Sequence, residues 1–580
     1  MSHAIRKIWS IIELLVSSLH NASLTALKQF FKARTLTENE KRFSKMNAVF
    51  WRQYSGTAPH AGDSRYILIL PEGQIINTLK NATLARVGIA AARGMRMLFL
   101  LPTSNFSLKS ILKSFSQSEF VFYYSWRYFP YMLLSLFQAL KAYRRLASPD
   151  DVLSFETDGI NFGDLIYDSV LAGQWATLDT VDHRVFKQCW QFYFYRSVIK
   201  DILKRYNIEC AVLSHPCGVR GGTNFRYLVR NNIEVIRSAG SGVLMFHKLR
   251  TLEDGYSEVF IPEQEHFDYM LENYERFALG AEQFLRVRFN DQKRELGDIE
   301  ENLAFKKDKH VYTAREEFCN KYNLDTTKKN IFVMLHGFND FPHGFGWIIY
   351  RDFYEWFMVT LEIARKTSSV NWVFKEHPYS AYYPTRDLDL NLLFKTINDP
   401  HICFLNRDED FNAKSLLFVA DTVITCIGTA GMEYSAMGKP CILGGRTTYS
   451  GFGFTVEPKT DHEYRQLLRA INDLPGLTEE QIKKAKMLIY YELKMAFDYV
   501  DPFFPAFNIE QQNEFTIDSI FEESVAYWNK VSHDARRRAV ADIVEFLNNP
   551  EAIRYINLNK HIYFKGKTPR FSPNPSFSKL

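Results

Sequence analysis

The stretch "DTVITCIGTAGMEYSAMGKPCILGG", residues 421–445, decides the fold. It opens as an apolar, β-branched strand ending at Cys426 and passes through a run of small residues, Gly428, Thr429, Ala430 and Gly431. A helix over 429–437 follows, Gly438 stops it, and Lys439-Pro440 leads into a second apolar strand. Strand, tight turn, helix and strand make a βαβ unit, which requires a parallel sheet.

The same alternation extends upstream. "NIFVML", a helix over 346–366, "VNWVFK", a helix over 387–397, "ICFL" and a helix over 412–420 lead into the 421–445 unit. Five strands in regular alternation predict a doubly wound parallel sheet, with further helices at 461–474 and 478–497. Nearer the N-terminus, "RYILIL", "INTLKNATLARVGIAAARG" and "MRMLFLL" form another βαβ pattern. "ECAVLSHP" and "IEVIRSAG" are two more strands, and long helices are expected at 121–146, disturbed at Pro130, and at 185–207.

The expected fold class is therefore α/β, with two Rossmann-like domains facing a cleft and extra helices at both ends. The predicted division is an amphipathic N-terminal segment over 1–60, a first Rossmann-like domain over 61–327 and a second over 328–505. C-terminal helices over 506–560 return to the first domain, one of them at 533–548, and a basic tail covers 561–580. Ligands of such sheets bind beyond the strand C-termini.

Composition narrows the function class. The chain has 580 residues, of which 46% are hydrophobic and 24% charged, so large cores are within reach. A net charge of +5 lacks the strong bias of a nucleic-acid binder. Seven scattered cysteines without a C-x-x-C pair suggest neither a disulfide framework nor a zinc site, and favour a reducing, cytoplasmic compartment. "AIRKIWSIIELLVSSL" is too short to span a membrane and carries Glu13, but Trp9, Ile12, Val16 and Leu19 recur at helical spacing. Such a helix either packs on the protein or lies on the inner face of a membrane, as the basic, aromatic tail "KHIYFKGKTPRFSPNPSFSKL" could also do.

Several residues stand where a cleft ligand would sit. The small-residue loop 428–431 suits an anion through its backbone N–H groups and the Thr429 hydroxyl, or else is an ordinary turn with a capping threonine. Glu433 follows in the first helical turn. In "NWVFKEHPYS", residues 371–380, His377 ends a buried strand and Pro378 fixes the turn after it; Lys375 and Glu376 point to opposite faces. An imidazole there can donate a hydrogen bond or a proton to a phosphate. Asp340 and His343 follow the strand "NIFVML". In the first domain, Glu72 follows "RYILIL", while His215 and Arg220 follow "CAVL" in a second His-Pro arrangement. Asp158, Asp164 and Asp168 punctuate "ETDGINFGDLIYDS", as cleft carboxylates or as turn and cap residues. No D-x-D stands at a strand end with the apolar context of a metal-binding transferase, so no required metal is expected.

His377-Pro378, the Gly428–Gly431 loop, Glu433 and Gly438-Lys439-Pro440 together resemble the GT-B glycosyltransferases of bacterial capsule and surface-polysaccharide biosynthesis. The Kdo transferases of capsule assembly are among these, and bacterial sialyltransferases share part of the pattern. The resemblance covers 328–460. It implies that His377 and Thr429 hold the donor nucleotide's phosphate and that Glu433 contacts its ribose. Asp158 is similar to the last acid of the sialyltransferase acidic-acidic-Gly motif, with Thr157 in place of the first acid.

The implied activity transfers a sugar, such as Kdo or another CMP-activated acid sugar, from a CMP- or UDP-linked donor to a glycan or lipid-linked acceptor of capsule or lipopolysaccharide type. No other cofactor and no nucleic acid is implied. Catalysis would draw on Asp158, Asp164, Asp340 and His377. The donor would be held by His377, Gly428, Thr429, Ala430, Gly431, Glu433 and Lys375, with Arg446 nearby for a diphosphate, and the acceptor side by Glu72, His215, Arg220 and His343. A sugar-nucleotide 2-epimerase and a non-catalytic scaffold of polysaccharide assembly are the alternatives.

Overall fold

The computed structural model describes residues 36–54, 65–70, 75–88, 95–102, 106–116, 118–239, 245–256, 264–289, 304–306, 308–344, 346–381, 384–492, 501–505, 517–550 and 554–555. The N-terminal stretch bearing Trp9, Glu72, and the basic tail fall outside them. The chain divides into two compact units, one of residues 1–170, 178–256 and 499–556, the other of 171–177, 257–498 and 557–580.

In the first unit, strands β1 (Arg65–Leu70), β2 (Arg96–Leu101), β3 (Ser118–Phe122), β6 (Asn207–Leu213) and β7 (Glu234–Ala239) are parallel. The antiparallel β8 (Met245–Leu249) and the short β14 (Arg554–Tyr555) extend the sheet, in the order β14-β8-β7-β6-β1-β2-β3. β1 and β2 each bury five of their six residues, as a strand covered on both faces must. A separate hairpin of β4 (Glu156–Thr157) and β5 (Ile160–Asn161) turns on Asp158 and Gly159, whose φ angles of 55° and 71° suit the tight two-residue turn that an Asp-Gly pair favours.

The single long helix expected over 121–146 is instead strand β3, a 3-10 turn at Trp126–Tyr128 and a helix at Phe129–Tyr143. Pro130 lies in the first turn of that helix, where its missing N–H costs no hydrogen bond, so it begins the helix and does not disturb it. Helix Ile517–Lys530 packs on Glu38–Arg52, and His533–Asn548 packs on Ile75–Gly88.

The second unit holds five parallel strands: β9 (Asn330–Met334), β10 (Asn371–Lys375), β11 (Ile402–Leu405), β12 (Thr422–Thr425) and β13 (Cys441–Leu443), in the order β11-β10-β9-β12-β13. From β9 the chain winds to one side for β10 and β11, then crosses to the other for β12 and β13. The reversal between β9 and β12 is the topological switch point, the crevice where open α/β sheets take their ligands. The connecting helices are shorter than expected: Phe353–Lys366, capped by Asp352, Leu390–Lys395, Leu416–Val419 and Ala430–Ser435. Trp356, Trp372, Phe357 and Phe374 fill the core on one face of the sheet. Helix Tyr274–Phe289, in the polar region read as a linker, packs against Glu479–Tyr490.

A buried ion pair secures the C-terminal return to the first unit: Lys80 Nζ lies 3.4 Å from Asp501 Oδ2, and the Asp501 side chain is wholly buried. The Asp501 carboxylate also accepts the amides of Phe503 and Phe504. Lys80→Met leaves that carboxylate buried without its cation, and the expected loss is about 3 kcal/mol by chemical denaturation.

Candidate functional site

The switch point is built around a histidine that the sequence reading passed over. His336 stands two residues beyond β9, and its Nε2 accepts the backbone N–H of Ile427, beyond β12, at 3.2 Å. The Thr425 hydroxyl lies 3.1 Å from the same nitrogen and itself accepts the Gly428 N–H at 3.1 Å, so its own proton is directed to Nε2. A nitrogen receiving two donors carries no proton, which places the ring proton on Nδ1. His336 lies parallel to Phe353 at 4.5 Å and to His377 at 6.4 Å.

Both rings are held neutral. Burial, then the neighbouring His377, pushes His336 down to about 3. Burial, then the Lys375 cation, pushes His377 down to about 4. Each ring is therefore a hydrogen-bond donor at neutral pH. Pro378 opens a 3-10 turn over Pro378–Ala381 directly after His377.

The Gly428–Gly431 loop meets this pair through His336. Among the described residues no hydrogen bond reaches the amides of Thr429 and Ala430, and Thr429 is exposed with no cap bond from its hydroxyl. The helix behind the loop, Ala430–Ser435, has fewer than two turns, so the amides themselves carry more of any anion attraction than the helix dipole does. The two glycines are small for packing reasons. A Cβ on Gly428 would come within 2.8 Å of Thr425 Oγ1 and 3.3 Å of His336 Cε1, and one on Gly431 would strike the Tyr449 hydroxyl.

Lys375, the last residue of β10, is buried, and among the described residues its ammonium has no hydrogen-bond partner. Burial first, then Lys309, pushes it down to about 8 against the opposing pull of Glu376. The Glu376 carboxylate instead accepts the Ser380 hydroxyl at 2.5 Å and the Arg407 amide at 3.0 Å. Glu433 is buried, and its Oε1 lies 2.5 Å from Arg288 Nη2 on helix Tyr274–Phe289. That carboxylate oxygen is engaged by a protein cation, which competes with the ribose contact expected of it. Asp340 is exposed and His343 half-buried on the loop that His336 opens, where Phe341 has φ of 44°. Burial lowers the Arg446 guanidinium to about 10, and its amide donates to Trp347 O at 2.8 Å. Among the described residues no three His, Cys, Asp or Glu side chains are grouped to hold a metal ion.

In the first unit Asp158 and Asp164 are ion-paired. Asp158 receives Arg196 at 2.8 Å, Lys200 at 2.9 Å and the Tyr227 hydroxyl. Burial would raise its pKa, but Tyr227, Lys200 and Arg196 outweigh that and hold the carboxyl well below the usual range. Asp164, in the first turn of helix Gly163–Leu171, is bound by both terminal nitrogens of the buried Arg226, Nη1 at 2.8 Å. Asp168 is buried. His215 is exposed beyond β6, and Arg220 is half-buried in the π turn Gly218–Gly222.

No family model and no curated protein matches the chain. Among solved structures it is similar to the Thermosulfurimonas dismutans KpsC beta Kdo 2,4 transferase, at 15% identity over 48% of this chain and 79% of that one, with a TM-score of 0.29. A glycosyltransferase from Rickettsia africae aligns at 10% identity over 81% and 99% of the two chains, with a TM-score of 0.24. The UDP-GlcNAc 2-epimerase from Neisseria meningitidis aligns at 10% identity over 74% and 99%, with a TM-score of 0.21. Scores of this size leave the function to be argued from the chain's own residues.

Proposed function

We propose that the protein is a nucleotide-sugar-dependent glycosyltransferase of GT-B type whose donor phosphate lies at the switch point of the second sheet. The observation that carries this reading is the Ile427 N–H donated to His336 Nε2, which leaves the Nδ1–H of a neutral ring as a fixed donor at the strand end from which the loop with the unbonded amides of Thr429 and Ala430 emerges. His377, stacked on His336, and the buried Lys375 ammonium complete a phosphate site. In the reaction the bond between the anomeric carbon and the phosphate oxygen breaks, and the electron pair passes to the phosphate. Preorganised N–H donors stabilise that growing charge more in the transition state than in the bound donor. The acceptor hydroxyl forms the new bond and gives its proton to a carboxylate. Asp340, exposed on the loop that His336 opens in the same unit, is assigned that role.

A CMP-linked acid sugar such as Kdo is the donor this site fits best, because one phosphate needs few cations and Lys375 is the one buried cation in the group. The acceptor is a surface glycan or its lipid-linked precursor.

Thermal stabilisation by CMP, CDP, UDP and GDP tests the reading. A rise of several degrees with CMP that His336→Ala and His377→Ala each abolish is the expected outcome. No rise with any nucleotide, or a rise that survives both substitutions, removes the phosphate site. Turnover of the nucleotide sugar without acceptor, giving its C2 epimer, would replace the transferase by an epimerase.

The two histidines also set a pH dependence. Their folded values lie below the ordinary 6.5, so the unfolded chain binds more protons as pH falls from about 6.5 towards 4. Their contribution to stability is complete above pH ~6.5 and is lost on acidification. The thermal midpoint should fall between pH 7 and pH 5, and fall less steeply in the His336→Asn/His377→Asn variant; equal slopes would contradict the neutral pair.

A further inference from the structure

Helix Phe129–Tyr143 packs one face on helix His183–Arg205 through Ser135, Ala139 and Tyr143 and turns a second apolar face outward. Phe129, Leu133 and Phe137 recur at one-turn spacing along that outer face, with Leu134 beside them and Trp126 just before the helix. Trp126 is 90% exposed and Phe137 68%, values at which large apolar side chains rarely stand together on a soluble surface.

The charge along this segment of the chain is one-sided. Between Glu119 and Asp150 the sequence has no acidic residue and four basic ones, Arg127, Lys141, Arg144 and Arg145. Arg127 is drawn to Asp201 at 3.4 Å, whereas Lys141, Arg144 and Arg145 are exposed and make no ion pair among the described residues. Apolar side chains along one face, an aromatic residue at the entry and arginines and lysine at the exit are the features of a helix lying in the plane of a bilayer surface. Its 15 residues extend about 22 Å, too short to cross the hydrocarbon layer.

We propose that this face docks the protein on an anionic membrane, with Trp126, Phe129, Leu133 and Phe137 entering the headgroup boundary and Lys141, Arg144 and Arg145 meeting the lipid charge. The proposal stands on the first unit alone and is independent of the donor site.

The test is co-sedimentation of the full chain with phosphatidylcholine vesicles with or without phosphatidylglycerol. Binding should require phosphatidylglycerol and weaken about tenfold or more in Phe129→Ser/Leu133→Ser/Phe137→Ser, whose exposed positions leave the fold intact by circular dichroism. Lys141→Glu/Arg144→Glu should weaken binding and flatten its salt dependence. Three outcomes overturn the proposal: no binding to either vesicle, unchanged binding by the triple variant, or loss confined to Ile12→Glu/Val16→Glu. A fourth is a dimer that the triple variant splits without changing vesicle binding, which would give the face to a second copy of the chain.

Discussion

The hydrogen bond from the Ile427 amide to His336 Nε2 joins the chain leaving β9 to the chain leaving β12, the two strands that flank the switch point. Parallel strands diverge at their ends, and the loops there have no ladder to hold them. Here the Thr425 hydroxyl, accepting from Gly428 and donating to His336, closes a small network in which every partner's role is determined. Position and protonation are fixed by one arrangement. Gly428 follows from it, since a Cβ there would strike the Thr425 hydroxyl and crowd the imidazole.

Strand existence was legible in the sequence because each strand is a continuous apolar run bounded by turn residues. Strand order was not, because periodicity says which face a residue takes and not which strand lies beside it. His336 illustrates the difference. It stands just past "NIFVML" as His377 stands just past "NWVFK", so the strand-end argument applied to one applied to both. A following glycine in place of a proline hid the first. Only the sheet order shows that β9 lies beside β12, which brings His336 against the glycine loop.

Long-range pairing was the other hidden quantity. Glu433, Asp158 and Asp164 have the residue types and positions of cleft carboxylates, yet each meets an arginine far along the chain: Arg288, Arg196 and Arg226. Nothing local to "MEYS" or "ETDG" announces those partners. The Asp-Gly pair did contain a hairpin signal, and the positive φ of Asp158 accounts for the short polar residue there without recourse to catalysis. Pro130 was misread for a similar reason, since proline marks a helix start as often as a break and only the position of β3 tells which.

The balance of charge at the second sheet's edge favours an anion by desolvation as much as by attraction. Lys375 and both histidines sit where burial disfavours their cationic forms, so without a ligand the edge holds two neutral rings and an ammonium shifted towards its neutral form. A phosphate arriving there supplies the counter-charge that burial has withheld and raises all three groups towards protonation. In the transfer proposed above, the leaving group gains negative charge as its bond to the anomeric carbon breaks, so this response would strengthen along the reaction and not merely on binding. A site of permanently charged, water-exposed lysines would attract the donor more strongly but would change less between ground state and transition state. For the proposed transfer, the buried, weakly charged arrangement has the better sign.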